Sequence, residues 1–338
     1  MRRFALPIAL LLLVGCQQVR DLGPVPVTYH GGAAVGALAV THGGAGSPSS
    51  WSPHTQAAAQ AALHRLAHGG TALDAAVAGT QHLEDIPIFN AGTGANIRLD
   101  GRTIQMDAAL MTSDGDFAAV AALERVRNPI RVAQAVQATP HRMLVGDGAT
   151  RFAHRMGFAD EVPICPEARA KWRRRVARLL RGEAGGGYDA FDWRAAWNFP
   201  NPVPTPEDTL VDDPVQGDTV GTVVRHADGT FAATLSTGGT SITLDGRVGD
   251  VPIYGCGCFA GPAGAVACTG HGEEIIRQGL AREVYRLMEG GLSAQEAIRA
   301  GIADFDPAWT VGVIAVGRDG WGVGANTDMA YGVAGGSE

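Results

Sequence analysis

The chain has 338 residues, a net charge of −7 and 46% hydrophobic residues, enough apolar material for one large core or two modest ones. Its charge balance gives no footing to nucleic-acid binding, and its single lysine, Lys171, lies in a Gly/Pro-rich stretch, which sets Schiff-base chemistry aside. The basic run 171–181 around that lysine reads as a solvated linker segment.

Arg2 and Arg3 precede an apolar run, 4–14, too short for a span of about 20 residues. It has the charged start and apolar middle of an export signal. It ends Leu13-Val14-Gly15-Cys16, which resembles a bacterial lipobox. That resemblance implies a signal peptide 1–15, a lipidated Cys16 and a tether over 16–33. Gln17, in place of a retaining Asp, directs the expectation to the periplasmic side of the outer membrane. Cys165, Cys256, Cys258 and Cys268 remain. Their apolar surroundings and unpaired spacing favour small buried thiols over a zinc site, and spacing alone assigns no disulfide.

A strand is expected over 34–41, followed by a Gly-rich turn at 42–46. A helix over 53–68 stops at Gly69-Gly70, and Thr71 fits the N-cap of a second, 72–84. Asp100-Gly101 joins two strand-like pieces, 96–99 and 103–106. Helical spacing returns over 117–125 and 129–137. From 160 to 217 the pattern dissolves into Gly185-Gly186-Gly187 and the Pro200–Pro206 series. A structureless connection of that length needs a functional or processing reason. Order restarts at 219, with strands over 219–225 and 231–237, then 251–256 and 264–269. Helices over 273–289 and 293–303 and strands over 311–316 and 321–325 complete the chain. Strand pairs and helix pairs in each half favour an α+β αββα sandwich, sheets face to face with helices outside.

A threonine hydroxyl is a weak nucleophile unless a base is at hand. An N-terminal threonine supplies its own, because an α-amine with a pKa near 7.7–8.0 is partly neutral at pH 7. An internal threonine reaches that state only when the preceding peptide bond is cut. Thr219 stands where order resumes, in Gly217-Asp218-Thr219-Val220-Gly221. It is followed by Ser236-Thr237-Gly238-Gly239, then Gly246-Arg247-Val248-Gly249-Asp250, then Thr269-Gly270-His271-Gly272-Glu273. Upstream stand His42-Gly43-Gly44-Ala45-Gly46, Phe89-Asn90-Ala91-Gly92 and Thr139-Pro140-His141, and downstream Asn326-Thr327.

This ordered series resembles the isoaspartyl peptidase and plant-type asparaginase family of N-terminal-nucleophile hydrolases. The likeness covers the chain from about residue 35, the 160–215 connection excepted. It implies a precursor cut between Asp218 and Thr219 into an α chain (to 218) and a β chain (219–338) that share one fold. It assigns Thr219 as nucleophile, Thr237 as its tuning neighbour, and Thr269 and Gly270 as the oxyanion site. Arg247 would grip a substrate α-carboxylate, Asp250 and the Gly272 carbonyl its ammonium, and Asn90 would lie near the scissile region. The family's sodium loop makes Leu83, Glu84, Phe89 and Ala91 candidate oxygen donors; no redox or organic cofactor is implied. Expected substrates are β-aspartyl peptides and L-asparagine, and the expected assembly is a dimer of αβ units.

Bland readings compete at several positions. His64 and His68 have zinc-pair spacing, but Arg65 stands where a metalloprotease needs glutamate, so they read as surface histidines. Gly43, Gly44 and Gly46 lack a phosphate-loop ending and read as tight packing. Departures from the family pattern at His271 and 240–244 put the leaving-group pocket in doubt. Asp218 also fits the glycosylasparaginase branch, which is the alternative of the same fold. A lipoprotein scaffold that never cuts itself is the alternative of another class.

Overall fold

The computed structural model describes residues 27–185, 190–206 and 218–337. The export signal, Cys16 and the tether up to residue 26 lie outside the described residues, as do 186–189 and 207–217. In chain order the strands are β1 (Thr28–Ala33), β2 (Val35–His42), β3 (Met106–Thr112), β4 (Phe117–Leu123), β5 (Met143–Val145), β6 (Val220–Arg225), β7 (Phe231–Thr237), β8 (Cys258–Gly261), β9 (Gly264–Gly270), β10 (Val311–Gly317), β11 (Gly320–Ala325) and β12 (Tyr331–Ser337). The helices are α1 (Ser52–Ala67), α2 (Ala72–Glu84), α3 (Pro129–Gln137), α4 (Gly146–Arg155), α5 (Pro166–Leu180), α6 (Gly272–Gln278), α7 (Leu280–Glu289) and α8 (Ala294–Ala303).

Two sheets form, one ordered β1-β11-β10-β9-β8 and the other β12-β2-β6-β7-β3-β4-β5. Alternation along each strand decides which face goes where. Leu38 and Val40 of β2, Phe231, Ala233 and Leu235 of β7, and Ile314 and Val316 of β10 meet between the sheets. The residues between them face outward. Val311, Val313 and Ala315 pack under α7 and α8, whereas Ala39, Val224 and Ala232 pack under α1 and α2. Ile130, Ala133 and Val136 of α3, with Ala149 and Ala153 of α4, cover β3 and β4. The expected four layers, helix–sheet–sheet–helix, are therefore present. Thr71 caps α2 as its sequence suggests, its Oγ1 accepting from Asp74 N–H at 3.1 Å in a capping box.

Several local expectations are corrected. Residues 117–125 hold a strand, β4, instead of a helix. Phe117 and Ala119 enter the inter-sheet core while Ala118 and Val120 face α3, so both faces are apolar and the period of two is hidden. Residues 251–256 are turns that bring Gly257 N–H back to Asp250 O at 3.1 Å, and the strand starts only at Cys258. The helix expected over 273–289 breaks at Gly279, whose φ of 60° ends α6 and starts α7. Residues 28–33, read as tether, pair with β11. Residues 96–106 keep the turn at Asp100-Gly101, with Arg98 N–H bonded to Thr103 O at 2.8 Å, but the ladder strand begins at Met106.

The largest correction concerns the connection. Pro166 opens α5, Cys165 Sγ accepts from Ala168 N–H at 3.4 Å, and Ala168, Trp172, Val176 and Leu179 line one face of the helix. That face packs with Ile97, Leu99, Trp193 and Phe199. The basic run is thus the polar face of a docked helix, and Lys171 is turned towards a cavity. All four described cysteines are free, buried thiols. Trp172 is 5% exposed and its indole N–H bonds to Leu99 O at 3.3 Å. Trp172→Ala is expected to lower unfolding free energy by about 3–5 kcal/mol, measured by denaturant titration. An unchanged midpoint would return α5 to the status of a loose segment.

Candidate active site

The ladder between β6 and β7 pairs Val220 with Ser236, so one step further sets Thr219 opposite Thr237. The two hydroxyls meet at 3.2 Å, Thr219 Oγ1 donating to Thr237 Oγ1. Both side chains are buried. Thr237 Oγ1 also accepts from Gly239 N–H at 3.0 Å. Asn90 fixes the turn behind it: its Nδ2 donates to Gly239 O at 2.8 Å and its Oδ1 accepts from Asn96 N–H at 2.9 Å. Asn96 Nδ2 reaches the same Gly239 carbonyl at 2.6 Å.

The bond on the other side of Thr219 is equally confined. Asp218 Oδ1 accepts from Thr219 N–H at 2.8 Å and lies 3.5 Å from Thr219 Oγ1. A Cβ on Gly44 (φ +97°) would lie 2.6 Å from the Asp218 carbonyl carbon and 2.7 Å from its Cα. Only glycine lets this turn cover the Asp218–Thr219 peptide. Ser47 holds the turn by donating from Oγ to Gly44 O at 2.6 Å while accepting from Ala330 N–H at 2.9 Å. His42 ends β2 fully buried and neutral, burial pushing its pKa down to about 3.

The second sheet supplies Thr269, at the end of β9. Its Oγ1 accepts from Ala45 N–H at 3.1 Å, which leaves the hydroxyl hydrogen for another acceptor. Gly270 (φ +123°) follows, and His271 N–H is tied to Thr310 O at 2.9 Å. The Trp309–Val311 loop is held by Asn326, whose side chain bonds Trp309 O and Val311 N–H, each at 2.8 Å. His271 lies flat on Trp309, ring centroids 3.8 Å apart and 9° from parallel. Burial lowers its pKa despite nearby Glu273.

Arg247 lines the same cavity and forks onto Glu273 with N···O distances of 2.8–3.0 Å. Asp250 is buried, its Oδ2 lacks a hydrogen-bond partner among the described residues, and desolvation raises its pKa to about 7. Gly272 sits between them: a Cβ there would lie 2.9 Å from Asp250 Oδ1 and 3.0 Å from Arg247 Nη2. Arg98, fully buried, braces this loop through Thr243 Oγ1 and Arg247 O.

Asp218, Gly270 and Arg247 line one cavity of about 870 Å³. Hydrogen bonds join Thr219 to Asp218, Thr237 to Thr219 and Asn90 to Thr237, while Thr269 precedes Gly270 and both Asp250 and Gly272 adjoin Arg247. Thr139-Pro140-His141 serves locally, ending α3 with Thr139 Oγ1 on Val136 O at 2.7 Å. His64 and His68 lie on the surface at the end of α1 with their rings tilted 33° to each other, His68 Nδ1 against His64 O at 2.8 Å. In the 83–94 loop, carbonyl oxygens of Phe89 and Pro87 crowd Gly94 and those of Glu84 and Arg127 crowd Gly92. The Leu83 and Ala91 carbonyls already accept Ile86 and Gly94 N–H. Lys171, Arg175, Glu273 and Trp309 also line the cavity, and sequence reasoning assigned none of them a role. For the α5 pair a signal existed in the spacing of 168, 172, 176 and 179.

A family model described as asparaginase matches residues 27–337. A plant-type L-asparaginase from Pyrococcus abyssi is 38% identical over 69% of this chain and 72% of its own. An isoaspartyl peptidase from Salmonella typhimurium is 37% identical over 75% and 77%. An N(4)-(β-N-acetylglucosaminyl)-L-asparaginase from Elizabethkingia miricola is 34% identical over 70% and 62%. With a site built around a paired-threonine centre and a family match across nearly the whole described chain, this protein belongs to the asparaginase family of amidohydrolases that includes the plant-type L-asparaginases and isoaspartyl peptidases.

Proposed function

We propose that this chain cuts itself before Thr219 and then hydrolyses β-aspartyl peptides and L-asparagine through an acyl-enzyme on that threonine. The observation that carries the reading is the buried Thr219–Thr237 hydroxyl pair, 3.2 Å apart, with the Asp218 carboxyl beside it. In the uncut chain Thr219 nitrogen is an amide and offers no base. Asp218 Oδ1 is the carboxylate in reach of the hydroxyl. Thr219 Oγ1 attacks the Asp218 carbonyl carbon, the C–N bond breaks, and the nitrogen leaves as the α-amine. Water then hydrolyses the ester and frees Asp218 as a chain end. The new amine takes the hydroxyl proton in each later turnover.

For substrate, Arg247 takes the α-carboxylate with its planar fork, sharing it with Glu273. Asp250 takes the ammonium, giving its unpartnered Oδ2 a donor. Thr269 and the Gly270 N–H meet the charge that develops on the tetrahedral oxygen. The carbonyls crowding Gly92 and Gly94 suit a hard monovalent cation such as sodium, which would stiffen the loop that leads to Asn90. Export and anchoring through Cys16, and pairing of two αβ units, belong to the same proposal. The glycosylasparaginase alternative draws on Asp218 and on the Elizabethkingia relative. Parallel assays with a β-aspartyl dipeptide and a glycosylated asparagine decide between them. The non-cutting scaffold has no feature of the site in its favour.

Intact mass of wild-type protein is expected to show two fragments divided at 218/219, and Thr219→Ala a single uncut, inactive species. A Thr219→Ala protein that still splits there would remove Thr219 as nucleophile. Thr269→Val is expected to lower kcat on β-aspartyl dipeptides by about 10²–10³-fold; an unchanged kcat would take Thr269 out of the oxyanion site. Asp250, with its pKa raised to about 7, favours folding fully only below its unfolded value near 4, and that contribution is lost as pH rises towards 7. Asp250→Asn is therefore expected to be more stable than wild type at pH 8, by on the order of a few kcal/mol, and nearly equal to it at pH 4. Denaturant unfolding at the two pH values checks this, and a pH-independent difference would contradict it.

A further inference from the structure

We propose that His42 is a positioning residue for Thr219: its imidazole donates to the Thr219 carbonyl and so fixes the direction of the hydroxyl and the new amine. This rests on the functional reading above, with Thr219 as nucleophile, and adds a group which that reading leaves idle. The inter-sheet layer ends in a polar row. Counting every second residue, Leu38 and Val40 of β2 lead to His42, and Val223 of β6 leads back through Gly221 to Thr219. Ala233 and Leu235 of β7 lead to Thr237, and Ala265 and Ala267 of β9 to Thr269. His42 therefore shares its layer with the three threonines of the proposed chemistry.

The ladder sets His42 opposite Gly221, and a residue without a side chain there makes room for the ring. A Cβ on Gly221 would lie 2.5 Å from His42 Nε2, 2.6 Å from Leu235 Cδ2 and 3.1 Å from Thr234 O. The imidazole thus lies against the backbone of β6, two residues from Thr219. It is fully buried, and neither ring nitrogen has a hydrogen-bond partner among the described residues. A buried donor left in that state is costly. Burial pushes the ring's pKa down to about 3, and the Thr219 main chain opposes that shift, as an accepting carbonyl does. So low a pKa rules the ring out as the base, whereas a neutral ring keeps one N–H to give. The uncut chain holds Thr219 from its other side, with Asp218 Oδ1 accepting its N–H at 2.8 Å. Scission ends that amide, and the carbonyl becomes the side from which Thr219 is held. Freed at its nitrogen, the residue can turn that carbonyl onto the ring N–H.

The test compares self-cleaved wild type, His42→Gln and His42→Leu on L-asparagine and on a β-aspartyl dipeptide. Glutamine keeps an amide donor near the ring's position, and leucine keeps only bulk. His42→Leu is expected to lower kcat roughly tenfold, the scale of one neutral hydrogen bond, with KM within about twofold of wild type. His42→Gln is expected to recover most of that loss. The acid limb of the kcat profile is expected to stay in place in all three proteins, because the amine and not the ring takes the proton. An unchanged kcat in His42→Leu, a His42→Gln protein as slow as His42→Leu, or an acid limb that moves with the substitution overturns the assignment and leaves the functional reading standing. Self-cleaved wild type that turns over neither substrate overturns the functional reading, and the assignment falls with it. Should a variant fail to fold or to cut itself, a crystal structure of self-cleaved wild type decides. It is expected to show a His42 ring nitrogen within about 3.2 Å of Thr219 O, and a separation above about 3.5 Å overturns the contact.

Discussion

Everything in the site depends on the register of one antiparallel ladder. Because Val220 pairs with Ser236, Thr219 and Thr237 fall opposite each other at the end of β6 and β7, with their hydroxyls in contact. A slip of one residue would turn Thr219 to the other face of the sheet. The register is in turn held by burial on both faces, with Val223, Ala233 and Leu235 in the inter-sheet core and Thr222 and Thr234 bonded to Thr80 beneath α2. Thr219, the proposed nucleophile, is thus located by the packing of the whole sandwich. Loops such as 42–46 only cover what the ladder has already aligned.

Electrostatics work against the fold at the same place. Asp107 and Asp250 are buried and Asp218 is half-buried, and desolvation raises the pKa of each. Such groups cost stability unless partnered. Arg98, Arg247 and Lys171 supply partial compensation from three different segments, a loop of the first half, a loop of the second and α5. Asp107 Oδ2 and Asp250 Oδ2 are both acceptors without a donor among the described residues, and Asp250 is the one that adjoins Arg247 at the cavity. A ligand bearing an ammonium group offers that missing donor, so part of the free energy withheld on folding becomes available on binding.

The parts of this arrangement that were legible in the sequence are those written locally. Thr71 spells a cap, Asp100-Gly101 a turn, and the ordered threonine motifs a chemistry. What was hidden depends on long-range burial. β4 is apolar on both faces because it lies under α3 on one side and the second sheet on the other, so its period could pass for a helix. β5 has three residues, too few to carry a pattern. In α5 the apolar stripe at 168, 172, 176 and 179 is interrupted by arginines, and the segments that follow it are rich in Gly and Pro, which favour no regular element. The Arg247–Glu273 pair spans 26 residues of chain and leaves no local trace.

The strand order of the larger sheet has one more consequence. β2 lies between β12 and β6, β3 lies beside β7, and in the smaller sheet β1 lies beside β11. Every one of these neighbours belongs to the opposite side of the Asp218–Thr219 bond. If that bond is cut as proposed, the two pieces are woven through both sheets and cannot part without dismantling the core. Their reassembly after denaturation would be a meeting of two molecules. The cut protein would then recover with a dependence on concentration that the uncut chain lacks, so that under the proposed mechanism each molecule could make its native structure unaided only before the cut.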